Sequence, residues 1–423
     1  MDQAVSSPLA AQIDAAAEAV NARVIAWRRD FHEHPELGNR ETRTAAIVAA
    51  HLQALGLDDV RTGVAHTGVI GLLKGALPGP VVALRADMDA LPVTEEVDLP
   101  FASKVRTQWN GEEVGVMHAC GHDCHTAILM GVAEVLAGQR GLLRGSVKFI
   151  FQPAEEMPPA GEDGGAKMMI AEGALEDPVP QAIFGLHVTS RQNAGLLGYR
   201  PGPTMASSDR FSITVHGRQT HGAAPWLGVD PIVTSAQVVL GLQTVVSRGM
   251  DIAREPVVLT VGMIKGGVRE NIIPDSVEMR GTIRTFDEGM RDEVHERVST
   301  LADSVARGSR ASCTVCINKN YPVTVNDPAL TAQMLPTLER VAGADKVQLV
   351  PKVTGSEDFS YFQRLIPGLF FFVGVTRPEI DPAKAPSNHS PRFAVDESAL
   401  LLGVRALAHL SCDFLASRAP QAM

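Results

Sequence analysis

The sequence predicts an α/β protein: a mostly parallel sheet covered by helices, interrupted by an independently folding α+β unit. Three observations carry this expectation. The chain is 423 residues long, beyond the roughly 250–300 at which one hydrophobic core stops growing, so two domains are expected. Apolar runs that read as strands alternate with helical stretches over the first part of the chain, the pattern of a covered parallel sheet. From about Gln192 to about Lys319 the order changes to strand, helix, two strands, helix, strand.

Residues 9–29 contain neither Gly nor Pro and space their apolar side chains helically, with Pro35 and Gly38 as stop signals. Asn39 reads as the N-cap of a second helix to Leu55, and Gly56 as its left-handed stop. Residues 81–85, 147–151 and 182–186 are apolar strands, and 126–136 is an apolar-faced helix. The middle reads as strand 211–215, helix 231–248, strands 257–264 and 277–284, helix 288–307 and strand 312–317. That β-α-β-β-α-β order is ferredoxin-like. A helix at 330–341, which Pro336 is expected to kink, a strand at 369–373 and a helix at 397–415 complete the first domain. The expected division is 1–191 with 320–423 as one discontinuous domain and 192–319 as the inserted one.

Composition excludes several classes. The net charge is −10 and no basic run occurs, so nucleic acid is not an expected partner. No apolar stretch approaches the ~18–20 residues of a membrane span. The five cysteines are too few and too scattered for a disulfide scaffold. Cys313-Thr-Val-Cys316 lies in a strand-like run, where positions three apart face opposite sides, so it is not read as a redox pair. Residues 1–20 lack the basic and apolar regions of a signal peptide, so a cytoplasmic location is expected, or a periplasmic or secreted one if a signal was removed. Met168, Met169, Phe359, Tyr361 and Phe362 read as core.

The densest chemical signal is His118-Ala-Cys120-Gly-His122-Asp-Cys124-His125. His118, Cys120, His122 and Cys124 fall at every second position and would share one face of an extended backbone. Cys and His are ligands for zinc-like metals, and no second pair of similar spacing closes a structural knot, so an open catalytic site is preferred. Glu155 and Glu156 directly follow an apolar strand. One could ligate an ion while the other takes a proton from water. Alone, each remaining signal has a plainer reading. The Glu pair is a solvated loop, His187 a core residue, Asp87 and Asp89 a turn, His389 an exposed loop residue. Yet Asp87/Asp89, Glu155/Glu156 and His187 each lie just past the C-terminal end of an expected strand, the edge where open α/β sheets bind ligands. The set is large enough for two divalent ions. In the inserted unit, Arg284 suits a substrate carboxylate, and His221 or Asn271 a developing oxyanion, although spacing alone favours an exposed strand charge for Arg284.

With these residues in view, the sequence resembles the dinuclear metallopeptidase/amidohydrolase family of aminoacylases and carboxypeptidases. The branch it most resembles holds hippurate hydrolases and indole-acetyl-amino-acid amidohydrolases. The matching stretches are His34-Pro-Glu-Leu37, Arg85-Ala-Asp87-Met-Asp89-Ala-Leu-Pro92, His118 to Asp123, Phe151 to Glu156, Gly185-Leu-His187, Gly355-Ser-Glu-Asp-Phe359 and Asn388-His389-Ser390.

The resemblance implies a zinc-peptidase-like catalytic domain with two divalent ions (Mn2+, Zn2+, Co2+ or Ni2+). Their implied ligands are Cys120, His122, Glu156, His187 and His389, with Cys120 shared. It implies Glu155 as general base and later acid, Asp89 and Asp87 close behind the ligands, and His221, Asn271 and Arg284 as substrate contacts. It implies a homodimer or higher homo-oligomer formed through the inserted domain. Where the family's aspartate-type branch has a His in a His-x-Asp motif and a bridging Asp, this chain has Asp87-Met-Asp89 and Cys120. The implied reaction is metal-dependent hydrolysis of N-acyl amino acids, hippurate-like or with N-acetyl or aryl-acyl groups. The alternatives are a dipeptidase or carboxypeptidase of the same family, or a homologue that binds metal without turnover.

Overall fold

The computed structural model describes residues 8–109 and 111–418; the stretch read for a leader lies outside it as far as Ser7. In chain order the main elements begin with α1 (Pro8–Glu33), α2 (Thr42–Ala54), β1 (Asp59–Val64), β2 (Gly68–Lys74) and β3 (Leu77–Asp87). Then come α3 (His122–Gly138), β4 (Arg144–Gln152), β5 (Ala182–Asn193) and β6 (Leu197–Tyr199). The middle contributes β7 (Asp209–His216), α4 (Pro231–Thr244), β8 (Val257–Gly266), β9 (Ser276–Thr285), α5 (Glu288–Gly308) and β10 (Ser312–Lys319). The chain closes with α6 (Pro328–Ala342), β11 (Val347–Leu349), β12 (Gly368–Thr376) and α7 (Ala399–Ser417).

Two compact units result: Met1–Gly202 with Asn326–Val350 and Tyr361–Met423, and Pro203–Val325 with Pro351–Ser360. The second unit starts later than the expected residue 192 because β6 belongs to the large sheet, where it pairs with β12 and β11. It ends near Val325 rather than Lys319 and takes in the separate stretch Pro351–Ser360, where Val353 bridges to Met205 and accepts and donates backbone hydrogen bonds.

The first unit is built on an eight-stranded sheet in the order β1-β2-β4-β3-β5-β12-β6-β11. Its centre, β4, β3, β5 and β12, is parallel, while β1, β2 and β6 add antiparallel pairs. β12 reads Gly-Leu-Phe-Phe-Phe-Val-Gly-Val-Thr and is buried throughout, as a strand covered on both faces requires. α1, α3 and α7 pack against one another and join a core with Leu84, Phe149, Phe184 and Phe371. Contrary to the composition-based expectation, α7 is long and apolar enough to cross a membrane, with 19 residues and a mean hydropathy of 1.5. Its apolar window is 72% buried inside this core, so packing accounts for that apolarity. Pro336 sits inside α6 without ending it.

The second unit has the β-α-β-β-α-β order, with an antiparallel sheet β8-β9-β7-β10. Phe211, Ile213 and Val215 alternate inward along β7 and meet Val238 and Leu242 of α4 and Val294 and Val298 of α5 in one core. Buried Asp209 fixes α5 to β7 through Arg291 at 2.5 Å and His295 at 2.7 Å.

Candidate metal centre

Five chain segments of the first unit converge at the C-terminal edge of its parallel strands. The first is the turn into α3. Gly121 has φ +93°, and a Cβ there would lie 2.2 Å from Val188 Cγ2, so only glycine fits. The turn starts the helix at His122, which breaks the alternation expected of residues 118–124. Cys120 and His122 reach the site, but Cys124 is buried in the helical core. His118 is buried with neither ring nitrogen hydrogen-bonded.

The second segment follows β3. Asp89 accepts His122 Nδ1–H through its carbonyl at 2.8 Å and Oδ1 at 3.1 Å, and its Oδ2 accepts the Glu156 amide at 2.9 Å. Asp87 is fully buried between Arg85 Nη1 and His125 Nδ1, each at 2.6 Å. Burial opposes its charge, but His122, His125 and Arg85 outweigh burial and hold the carboxyl well below the usual range.

The third segment is the turn after β4, where Ala154 adopts φ +52° immediately before Glu155 and Glu156. The fourth is β5. His187 lies inside this strand rather than past its end, because β5 runs on to Asn193. The register Arg85↔Gly185 nevertheless sets His187 level with Asp87. The fifth is the loop of His389, a non-glycine residue at φ +71° whose amide donates to the Ala119 carbonyl at 2.8 Å.

Cys120, His122 and His187 form one group whose ligand atoms lie within 4.8 Å of one another, and Cys120, Glu156 and His389 form a second. Cys120 belongs to both, with Sγ 3.4 Å from His187 Nε2 and 3.2 Å from His389 Nε2. His389 Nε2 also lies 2.9 Å from Glu156 Oε1. Glu155 joins His122 and Glu156 in a further group, its Oε2 4.0 Å from His122 Nε2.

These residues fit divalent cations. The thiol, imidazole and carboxylate set suits zinc-like ions. His122 Nε2 is buried without a hydrogen-bond partner, because the ring's other nitrogen is held by Asp89. A ring that donates from Nδ1 presents a lone pair at Nε2, the tautomer a metal requires. His187 is set the same way by donation from Nδ1 to the Val188 carbonyl at 2.7 Å, and burial keeps it neutral. Burial works against a charged His122, but Asp87 and Asp89 prevail and raise it to about 10. A cation at Nε2 takes the place of that proton. Burial and the charges of Glu156, Glu155 and Asp87 push the Cys120 thiol well above its usual range, and a cation at Sγ inverts that balance. The group Asp87, His122 and His125 is less open. His125 uses both nitrogens, one on Asp87 and one accepting the Val188 amide at 2.9 Å.

One residue had no functional reading of its own in the sequence. Asn388 donates from Nδ2 to the carbonyls of Cys120 at 3.0 Å and Val188 at 3.1 Å, and its Oδ1 accepts the Ser190 amide at 3.2 Å. It ties three ligand-bearing segments together.

The remaining candidates lie in the second unit. His221 is exposed and opposite Ile272 in a short ladder, and Gly222 donates to the Asn271 carbonyl at 2.8 Å, so His221 and Asn271 are neighbours. Arg284, on β9, is half-buried and donates to Ser208 Oγ at 2.8 Å.

A covered parallel sheet whose edge gathers thiol, imidazole and carboxylate donors around an unbonded buried imidazole nitrogen defines a metal-dependent hydrolase. The chain belongs to peptidase family M20/M25/M40, which it matches over residues 83–413, and is a hydrolase of that family acting on amides. It is 42% identical over 393 residues to thermostable carboxypeptidase 1 of Saccharolobus solfataricus, covering 92% of this chain and 95% of that one. It is 37% identical to N-acetylcysteine deacetylase of Bacillus subtilis, covering 93% and 97%. It is 38% identical to IAA-amino acid hydrolase ILR1-like 4 of Arabidopsis thaliana, covering 93% and 86%. Among solved structures, it is similar to the Bacillus subtilis YXEP protein, a dinuclear metal-binding peptidase of the M20 family. That likeness has a TM-score of 0.78 at 35% identity and covers 94% and 99% of the two chains.

Proposed function

We propose that this chain hydrolyses the amide bond of N-acyl amino acids. In this reading Cys120, His122, Glu156, His187 and His389 hold two divalent ions (Mn2+, Zn2+, Co2+ or Ni2+), and Glu155 is the general base. The observation that carries the reading is Cys120 Sγ, common to two ligand groups, with the Glu155 carboxylate beside His122. When bound, such ions polarise an amide carbonyl and lower the pKa of water.

Glu155 takes the proton of the water that attacks the carbonyl carbon, then delivers it to the departing amino nitrogen as the C–N bond breaks. Glu156, paired with His389, stays a carboxylate: burial raises its pKa, and the imidazole more than offsets this. Asp89 keeps His122 in its ligating tautomer. His221 and Asn271 are assigned to the substrate carbonyl and Arg284 to its carboxylate. Relatives named for an N-acetyl amino acid and for IAA–amino acid conjugates support the acyl-amino-acid class.

Protein stripped with a chelator is expected to lose turnover of N-acetyl, N-benzoyl and N-arylacetyl amino acids, and to regain it with added Mn2+, Zn2+ or Co2+. Chelator-resistant turnover would end this reading and support a Cys120 nucleophile in its place. A carboxypeptidase or dipeptidase reading is favoured by one specific observation, the 42% identity to the Saccharolobus enzyme. The same assay with free-amine dipeptides decides between them: preference for dipeptides overturns the acyl-amino-acid assignment.

We also propose that the second unit mediates a homodimer. β8 is an edge strand of its sheet and exposes Val258, Met263 and Ile264, while α4 exposes Ile232, Val233 and Leu240. An unpaired edge with exposed apolar side chains is a pairing surface. Light scattering at micromolar concentration should report a dimer that Ile264→Lys weakens; a monomeric wild type refutes it.

A further inference from the structure

Gly38 and Glu41 brace the turn that carries Glu155, and Asn39 and Arg40 between them hold Glu162 and Asp163 further along the same segment. Gly38 lies so close that a Cβ would stand 3.1 Å from both Cα and Cβ of Ala154 and 3.3 Å from the Met157 carbonyl. Asn39 donates to the Asp163 carbonyl at 3.0 Å and to Glu162 at 3.1 Å. Arg40 grips the Glu162 carboxylate through two nitrogens at 3.0 and 2.5 Å. Glu41, with no exposed surface, accepts the Ala154 amide at Oε1 (2.9 Å) and the Thr67 hydroxyl at Oε2 (2.6 Å). From this geometry we propose that Glu41 is a positioning residue for Glu155: its carboxylate holds the Ala154 N–H, fixes the left-handed turn, and so aims the Glu155 carboxylate.

Two physical features of the turn support this role. Ala154 is a non-glycine residue at φ +52° and is wholly buried. Such a conformation costs on the order of 1–3 kcal/mol and persists only where the surroundings determine it. Glu41 supplies the hydrogen bond to that residue's own amide, and Gly38 makes room for its Cβ. The second feature is the cost of Glu41 itself. A buried carboxyl group is ordinarily paired with a cation, whereas the donors to Glu41, namely the Thr67 hydroxyl and the amides of Ala154 and of Glu41 itself, are neutral. Burial and the nearby charge of Asp89 push its pKa up to about 8. An expensive group in a structural turn is explained when the turn must be held to within a fraction of an ångström.

This inference rests on the reading of Glu155 as base, and the test is arranged to separate the two. In the full chain reconstituted with Mn2+, Glu41→Ala is expected to lower kcat about 10–100-fold, with KM within about twofold and metal content by elemental analysis unchanged. Glu41→Gln keeps an acceptor toward Ala154 and is expected to retain kcat within about threefold. Adding Glu41→Ala to Glu155→Gln is expected to cost nothing further, because residues acting through one group are non-additive. Should Glu41→Ala fail to fold, Thr67→Val loosens the same carboxylate and is expected to reduce kcat about 3–10-fold at unchanged KM. Unchanged kcat in these variants, equal loss in Glu41→Gln and Glu41→Ala, or full additivity with Glu155→Gln would each overturn the positioning role. Retained turnover in Glu155→Gln alone would overturn only the base assignment.

Discussion

Glu155→Gln should lower kcat by roughly 10²–10⁴-fold while two ions remain bound and KM changes little. The substitution is nearly isosteric, so it leaves the turn after β4 and its contacts in place. It removes only the ability to accept a proton. Glu155 is almost fully buried, with Oε2 4.0 Å from His122 Nε2, close enough to serve a water held at the same point. Glu156 cannot substitute for it, because in this reading its carboxylate is itself a ligand, grouped with Cys120 and His389. Steady-state assays paired with elemental analysis check both halves of the expectation. Turnover within tenfold of wild type would remove Glu155 from the reaction. Loss of metal in parallel would make it a ligand instead.

Cys120→Ala should be the more destructive change. Its sulfur is common to both ligand groups, so its removal takes a donor from each ion at once. Alteration of groups that merely orient ligands already costs about 10–100-fold in metal affinity. Loss of a shared donor is expected to exceed that range and to abolish turnover at micromolar metal. Cys120→Asp offers the control. A carboxylate has two oxygens, can contact two ions, and is the bridging group of the family's aspartate-type branch. It is expected to recover part of the metal binding that alanine loses. Titration of metal-free variants by calorimetry measures all three proteins. Wild-type affinity in Cys120→Ala would show that the sulfur is not a ligand.

What the sequence disclosed about this fold follows from where the information is local. Strands 81–85, 147–151 and 369–373 were readable because a strand buried on both faces is predominantly apolar, with Arg85 and Lys148 as single buried exceptions, and each lies within an observed strand. The β-α-β-β-α-β order of the middle was readable because its strands alternate and its helices are uninterrupted. β6 and β11 were not, because three residues carry no period and owe their pairing to β12 and to each other. Asn39 looked like an N-cap, yet the helix starts at Thr42. Asn39 instead takes φ +60° and sends its side chain to Glu162 and Asp163, a tertiary contact that overrides local preference.

The candidate centre divides the same way. Cys120, His122, Glu156, His187 and His389 were named from residue chemistry and family motifs, and they meet. His118 and Cys124 were grouped with them only by assuming an extended backbone that Gly121 interrupts. Glu41 carries no signal of this kind, and Asn388 appears only as part of the stretch Asn388-His389-Ser390 with no role of its own. Their partners lie 113 and up to 268 residues away in sequence, and nothing in a linear reading joins them.

The amide of Asn388 has a consequence for how the protein is made. Residues supplying Cys120, His122, Glu156 and His187 emerge from the ribosome long before the clamp and His389 do. Until that late loop docks, the carbonyls it bridges have no tether and one donor is missing. Of the two ligand groups, the one of Cys120, Glu156 and His389 is thus completed only when that late loop docks, and a shortened product ending before residue 388 lacks both the clamp and one donor of the proposed centre.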